Sequence, residues 1–154
     1  MLRRAIVAFA LCALLPGAAL AQVRSGVGPR VGFSVDPDQL VLGGQMIVGE
    51  VAPNLTFDPN LELGFGDDVT VVAANFDLHY HFDVPDMTWR PYAGFGLGIN
   101  FIDWDGGDET EVGGNVILGA GVPTSAGNRF FGELKFGLGD IPELKLMVGW
   151  NFRM

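Results

Sequence analysis

Beyond residue 21 the chain alternates apolar and polar residues with period two, and no convincing helical periodicity interrupts the pattern. Across 69–84, Val72, Ala74, Phe76, Leu78, Tyr80, Phe82 and Val84 share one face of an extended segment. Asn75, Asp77, His79, His81 and Asp83 take the other. Across 92–101, Ala93, Phe95, Leu97, Ile99 and Phe101 oppose Tyr92, Gly94, Gly96, Gly98 and Asn100. At the C-terminus Leu144, Leu146, Val148, Trp150 and Phe152 oppose Lys145, Met147, Gly149, Asn151 and Arg153. Such a chain folds as two-faced strands, and its biology turns on which face is buried.

Turn signals rich in Gly, Pro, Asn and Asp divide the chain into eight runs, 30–36, 40–51, 55–66, 69–84, 90–103, 111–122, 129–139 and 141–153. In the second run Gly43, Gly44 and Gly49, with Gln45 and Glu50 on opposite parities, predict a bulge that switches the faces. Large apolar residues on the inward face of every strand would overfill an eight-stranded interior, whereas glycine, Asn and a few charges fit it. The large residues therefore face lipid, and the expected fold is all-β, an eight-stranded antiparallel up-and-down transmembrane β-barrel over residues 22–154. Gly94, Gly96 and Gly98 are expected to leave room in the lumen for Tyr92, Phe131 or Met147.

Residues 1–21 read differently. Arg3 and Arg4 precede an apolar stretch that ends at Pro16-Gly17, and Ala19-Leu20-Ala21 follows as a small-x-small cleavage pattern, so the segment is expected to be a cleavable signal peptide. Cys12, the sole cysteine, lies inside it, which leaves the remainder without a disulfide or a zinc–sulfur site.

Charge supports the topology independently. The full chain carries a net charge of −9, and without residues 1–21 it has 18 acids against seven bases. A phosphate backbone would be repelled, so nucleic acid is excluded as an expected partner. An up-and-down barrel puts alternate connections at one rim. The first, third, fifth and seventh connections with their flanks hold Asp36, Asp38, Asp67, Asp68, Asp103, Asp105, Asp108, Glu109, Glu111, Asp140 and Glu143, and no Lys or Arg.

The run from Arg90 through Gly98 (RPYAGFGLG), the Gly119-Ala120-Gly121-Val122 segment and the closing Val148-Gly149-Trp150-Asn151-Phe152 resemble the small outer-membrane β-barrel family of Gram-negative bacteria, the group of OmpX-like, opacity-like and OmpA-type barrels. The resemblance implies residence in the outer membrane, insertion by the barrel-assembly machinery, contact with outer-membrane lipid and lipopolysaccharide, and a role for Phe152 in the assembly signal.

Several constellations carry possible chemistry. Gly94-x-Gly96-x-Gly98 imitates part of a dinucleotide fingerprint but lies within a strand and opens no helix, so no cofactor is expected. Asp77, His79, His81 and Asp83 would project into one space and could ligate a divalent transition metal. The preferred reading of the same residues is a lumen network with Lys135, Lys145, Arg129 or Arg153. Asp103, Asp105, Asp108 and Glu111 offer hard oxygen ligands to calcium or magnesium, without EF-hand spacing. Eleven rim acids near anionic lipopolysaccharide would need divalent cations as bridges. Ser25, Ser34 and Ser125 lie far in sequence from both histidines, no catalytic triad is visible, and a non-enzymatic protein is expected.

In the last hairpin both strands point their odd-numbered residues inward. A register that pairs Lys135 with Glu143 and Glu133 with Lys145 is expected, with Leu138-Gly139-Asp140 as the turn, because the alternative sets Lys135 against Lys145. Two functional classes follow from the pattern. One is a non-enzymatic outer-membrane barrel serving envelope structure, surface interaction or leakage of very small solutes. The other is a secreted or periplasmic lipocalin-like barrel whose large residues line an apolar pocket.

Overall fold

The computed structural model describes residues 25–154, so the signal-peptide reading of 1–21, and Cys12 with it, lies outside the described residues. The strands are β1 (Gly26–Val35), β2 (Gln39–Ile47), β3 (Gly49–Ala52), β4 (Leu55–Gly66), β5 (Val69–His81), β6 (Arg90–Trp104), β7 (Gly107–Pro123), β8 (Arg129–Gly139) and β9 (Leu144–Arg153). Every pairing is antiparallel. β1 pairs with both β2 and β9, and β2 pairs in turn with β4, so the sheet closes on itself. β2 and β3 both lie against β4 and form one strand interrupted at Val48, which makes an eight-stranded closed barrel. Closure leaves no unpaired edge, the condition for strands to cross a bilayer.

The interruption is the expected face switch. Ile47 points inward from an odd position, while Glu50 stands opposite the buried Thr56 from an even one. Gly49 takes φ +150 at the step, a conformation open to glycine and strained for other residues. Both ends of the described segment lie at one end of the barrel, where the Met154 amide donates to the Ser25 carbonyl at 3.1 Å. The acid-bearing connections therefore share the opposite rim, with tight turns at Asp67-Asp68 and Asp105-Gly106.

Four boundaries differ from the sequence reading by three residues or more, among them the start of β9 at Leu144 rather than at 141. β1 begins at Gly26 rather than at 30, and β5 stops at His81 rather than at 84, which leaves Asp83 outside the barrel wall. β7 begins at Gly107 rather than at 111, because Gly106-Gly107 supply a sharp turn and the acidic residues after it alternate as a strand. Asp103 and Asp108 are thus cross-strand partners, not members of a long loop.

Which face is buried is decided by side-chain exposure. Phe95 is 63% exposed, Leu97 62% and Leu146 54%, whereas Ile117 and Met147 on the inward face are fully buried. The large apolar residues coat the outside, and the lipocalin-like alternative fails because the interior they would have to line is polar.

Candidate functional site

The lumen is a packed column of charge. Even-numbered positions of β1, β4 and β6 and odd-numbered positions of β2, β5, β7, β8 and β9 point inward. Their glycines seat the larger side chains. A Cβ on Gly119 would enter the Tyr92 ring, one on Gly149 the Phe131 ring, and one on Gly32 would meet the Met147 sulfur. Gly94 and Gly96 make room for His79 and Asp77, and Gly98 lies against Asn75 and Asn115, not against the three residues the sequence suggested.

Arg30 of β1 stands at the centre. Its Nη1 donates to Gln45 Oε1 at 2.9 Å, and its Nη2 pairs closely with Glu133 and at 3.3 Å with Glu62. Tyr92 donates its hydroxyl to the second oxygen of Glu133 at 2.9 Å. Lys145 donates to Glu62 Oε2 at 2.7 Å, and Lys135 reaches Asp77 at 2.5 Å and Glu62 at 3.7 Å. Asn60 donates to Asp77 at 2.7 Å and accepts from Asn75 at 2.9 Å. Gln45 extends the chain to Asn151 at 2.7 Å.

Closer to the termini, His79 Nδ1 lies 2.7 Å from Asp58 Oδ2, and its ring stacks on Tyr92 with centroids 4.8 Å apart. His81 Nε2 is 3.0 Å from the Thr56 hydroxyl. In so packed a lumen each buried carboxylate, ammonium and guanidinium group requires its partner, since an unpaired buried charge is far more costly than an unpaired surface one.

The expected pairs of the last hairpin are not made. Lys135 stands directly opposite Lys145, Glu133 opposite Met147, and Glu143 is exposed at the rim. Two causes account for this register. Glu62, reaching in from β4, lies between the two ammonium groups and holds both, so the like-charged neighbours are neutralised from the far wall. The register also lengthens the connection to 140–143, with the Gly137 amide donating to the Glu143 carbonyl, and Ile141 folds into the barrel against Gly113 and Gly137. Ile141 is only 7% exposed.

The proposed transition-metal constellation is likewise not formed. Asp77 is committed to Lys135 and Asn60, His79 to Asp58 and His81 to Thr56, while Asp83 lies outside, 3.9 Å from Arg90. Asp103, Asp105 and Asp108 are exposed at the far rim, and Glu111 is half-buried there. Among the described residues no three His, Cys, Asp or Glu side chains converge to hold one metal ion. Asp77 belongs to a lumen network whose cations are Lys135, Lys145 and Arg30, and Arg129 and Arg153 make no ion pair within it.

Arg30, Glu62, Asp58 and Asn60 were not singled out by the sequence, and Gln45 only as a marker of the face switch, although parity marks them: Thr56, Asp58, Asn60 and Glu62 form an unbroken polar row on one face of β4. Ser34, at the acidic end, donates to the Pro37 carbonyl and stands at the opposite end of the barrel from His79 and His81.

No family model and no curated protein sequence matches the chain. Solved structures do. The N-terminal β-barrel domain of Pseudomonas aeruginosa OprF superposes with a TM-score of 0.72 at 18% identity, covering 86% of this chain and 98% of that one. The chain has the fold of an outer-membrane β-barrel. Neisserial surface protein A gives a TM-score of 0.62 at 14% identity over 86% of this chain and 96% of its own. The de novo designed protein TMB2.3 gives 0.54 at 15%, over 86% and 94%. These identities are low enough that the likeness carries architecture and not activity.

Proposed function

We propose that the protein is a non-enzymatic barrel of the outer membrane, serving envelope structure and surface interaction through its acidic outer rim. The observation that carries this reading is the inversion of polarity, with the largest apolar side chains outside and seven buried ionic side chains inside: Arg30, Asp58, Glu62, Asp77, Glu133, Lys135 and Lys145. An exposed apolar surface of this extent is a liability in water and a requirement in lipid. Leakage of very small solutes is the weaker role, because the ion pairs and Ile141 fill the lumen.

The orientation proposed follows from the two ends of the described segment, Ser25 and Met154. With them in the periplasm, the exposed acids of the opposite rim meet the lipopolysaccharide layer, and divalent cations bridge the two anionic surfaces. Phe152, exposed near the end of β9, is available to the barrel-assembly machinery as its recognition signal. Membrane fractionation with a heat-modifiable gel shift tests the reading. Recovery in the outer-membrane fraction as a band that changes mobility on boiling is expected; recovery as a soluble protein with no such shift would overturn it.

A further inference from the structure

Opposite the acidic rim, at the end where Ser25 and Met154 meet, the inward positions carry arginine. Arg129 of β8 and Arg153 of β9 share the inner face, and Arg90 of β6 stands at the same end. Arg90 faces Asp83 at 3.9 Å. Among the described residues no carboxylate comes within ion-pair distance of Arg129 or Arg153, those of Glu50, Asp83 and Asp86 at this end included. Residues 1–24 contain no Asp or Glu that could answer them. Both side chains are nonetheless seated. The Arg129 Cδ occupies the space that a Cβ on Gly121 would need, and the Arg153 Cδ that of a Cβ on Gly127. The Arg129 Nε is buried there without an acceptor.

Asn151 lies between the two, directly opposite Arg129 and two residues from Arg153 on the same face, and is only 3% exposed. Side chains opposed in this way start about 5 Å apart. A chain of donors fixes the orientation of its carboxamide. A guanidinium only donates, so the Gln45 atom that receives Arg30 Nη1 is an oxygen, Gln45 presents its Nε2 to Asn151, and the Asn151 atom 2.7 Å away is an oxygen in turn. What remains is the Asn151 Nδ2, a buried donor without an acceptor. Orphan donors are uncommon in a folded protein, and two on opposed side chains, beside two unanswered positive charges, mark the place of a missing anionic acceptor.

We propose that this mouth binds a phosphate group, whose oxygens accept from Asn151 Nδ2 and from the guanidinium groups of Arg129 and Arg153. Guanidinium forks match phosphate oxygens, and donors on two strands with a third between them suit a tetrahedral oxyanion better than a planar carboxylate, which a single fork would satisfy. The group comes as free phosphate or as the headgroup of a phospholipid. Only the second source rests on the outer-membrane reading, so binding and that reading fail separately.

The test is a titration of the refolded barrel in alkyl maltoside micelles, which carry no phosphate, with inorganic phosphate at constant ionic strength. Binding is followed by calorimetry and by the backbone amide, Asn151 carboxamide and Arg129 Nε–H resonances. Saturation of one site is expected, with the largest shifts at Asn151 and Arg129, and acetate should not reproduce it. A second arm adds dihexanoyl phosphatidic acid: saturation by phosphate assigns the free ion, saturation of the same resonances by the lipid alone assigns a headgroup, and either supports the site. Asn151→Asp keeps an acceptor for Gln45 but puts an oxygen in place of the orphan donor, and should abolish binding. Arg129→Gln with Arg153→Gln should weaken it roughly tenfold, the effect of removing two partly screened ion pairs. Arg90→Gln removes a charge at the same end that Asp83 already answers and should leave affinity unchanged. Failure of both probes to saturate, equal saturation by acetate, or a loss from Arg90→Gln as large as that from Arg129→Gln would overturn the proposal in favour of a diffuse counter-ion layer. Shift mapping on the unaltered protein distinguishes these outcomes even if a variant fails to refold.

Discussion

The outer face and the lumen are built from alternate residues of the same strands, yet they are held to different standards. On the outer face, Leu97 and Leu146 meet a liquid of hydrocarbon chains, and any large apolar side chain serves there. In the lumen, Glu62 must place one carboxylate within reach of Arg30, Lys135 and Lys145 at once. The first requirement is a matter of type and the second of geometry. Substitutions should therefore be tolerated outside where they preserve hydrophobicity and rejected inside even where they are small.

The strongest way to break this contrast is to remove Glu62. Glu62→Gln leaves the buried Lys145 without an ion partner beside Lys135, which keeps Asp77, and should lower stability by roughly 3–5 kcal/mol in denaturant titrations of the refolded barrel. Adding Lys145→Met to that variant should return part of the loss, because it removes the charge left without a partner. If Glu62→Gln unfolds no more easily than the unaltered protein, the column is not what orders the lumen.

A charge on the outer face gives the next largest effect. Leu97→Arg near the middle of β6 should cost about 2–4 kcal/mol, whereas Leu97→Ile should be close to neutral in the same assay. Glycines sharpen the comparison further. Gly119→Ala drives a methyl group into the Tyr92 ring and should cost about 1–3 kcal/mol, while Gly132→Ala, whose methyl would meet nothing nearer than Val148, should be tolerated.

The smallest effect belongs to the rim. Partial burial, followed by the like charges of Glu109 and Asp140, raises the Glu111 carboxyl above its ordinary pKa. A carboxyl raised in the folded state favours folding most fully when protonated, below its unfolded pKa, and that contribution is lost as the pH climbs through the folded value. The Glu111 contribution should therefore fall slightly as pH rises through the carboxylate range, so the stability difference between Glu111→Gln and the unaltered protein should shift in favour of the variant as pH rises, as followed by thermal unfolding of both across a pH series.

The same contrast explains how much was legible in the sequence. Hydrophobic alternation reports the outer face directly, so strand number, inward parity and the face switch near Gly49 could all be read from it. Rim acidity could be read as well, because connection order alone assigns the ends. The lumen could not be read in the same way, because its contacts join residues distant in sequence. Pairing Lys135 with Glu143 considered only the neighbouring strand, whereas the deciding partner, Glu62, lies on β4 across the barrel. Asp83 followed the alternation of β5 by one step too many, beyond the point where the strand ends. The polar row of β4 carried a signal that alternation makes visible, but its partners, Arg30 among them, emerge only once the ring is closed.

Polarity inversion is the central claim, and side-chain methyl groups test it without any substitution. Methyl-labelled protein in lipid nanodiscs should show nuclear Overhauser contacts from acyl chains to Leu97, Val116, Leu118, Leu146 and Val148, all of them exposed on the outer wall. Val41, Ile117 and Met147, at most 1% exposed in the lumen, should show none. Acyl-chain contacts at Ile117 and Met147, with silence at Leu97 and Leu146, would contradict the account.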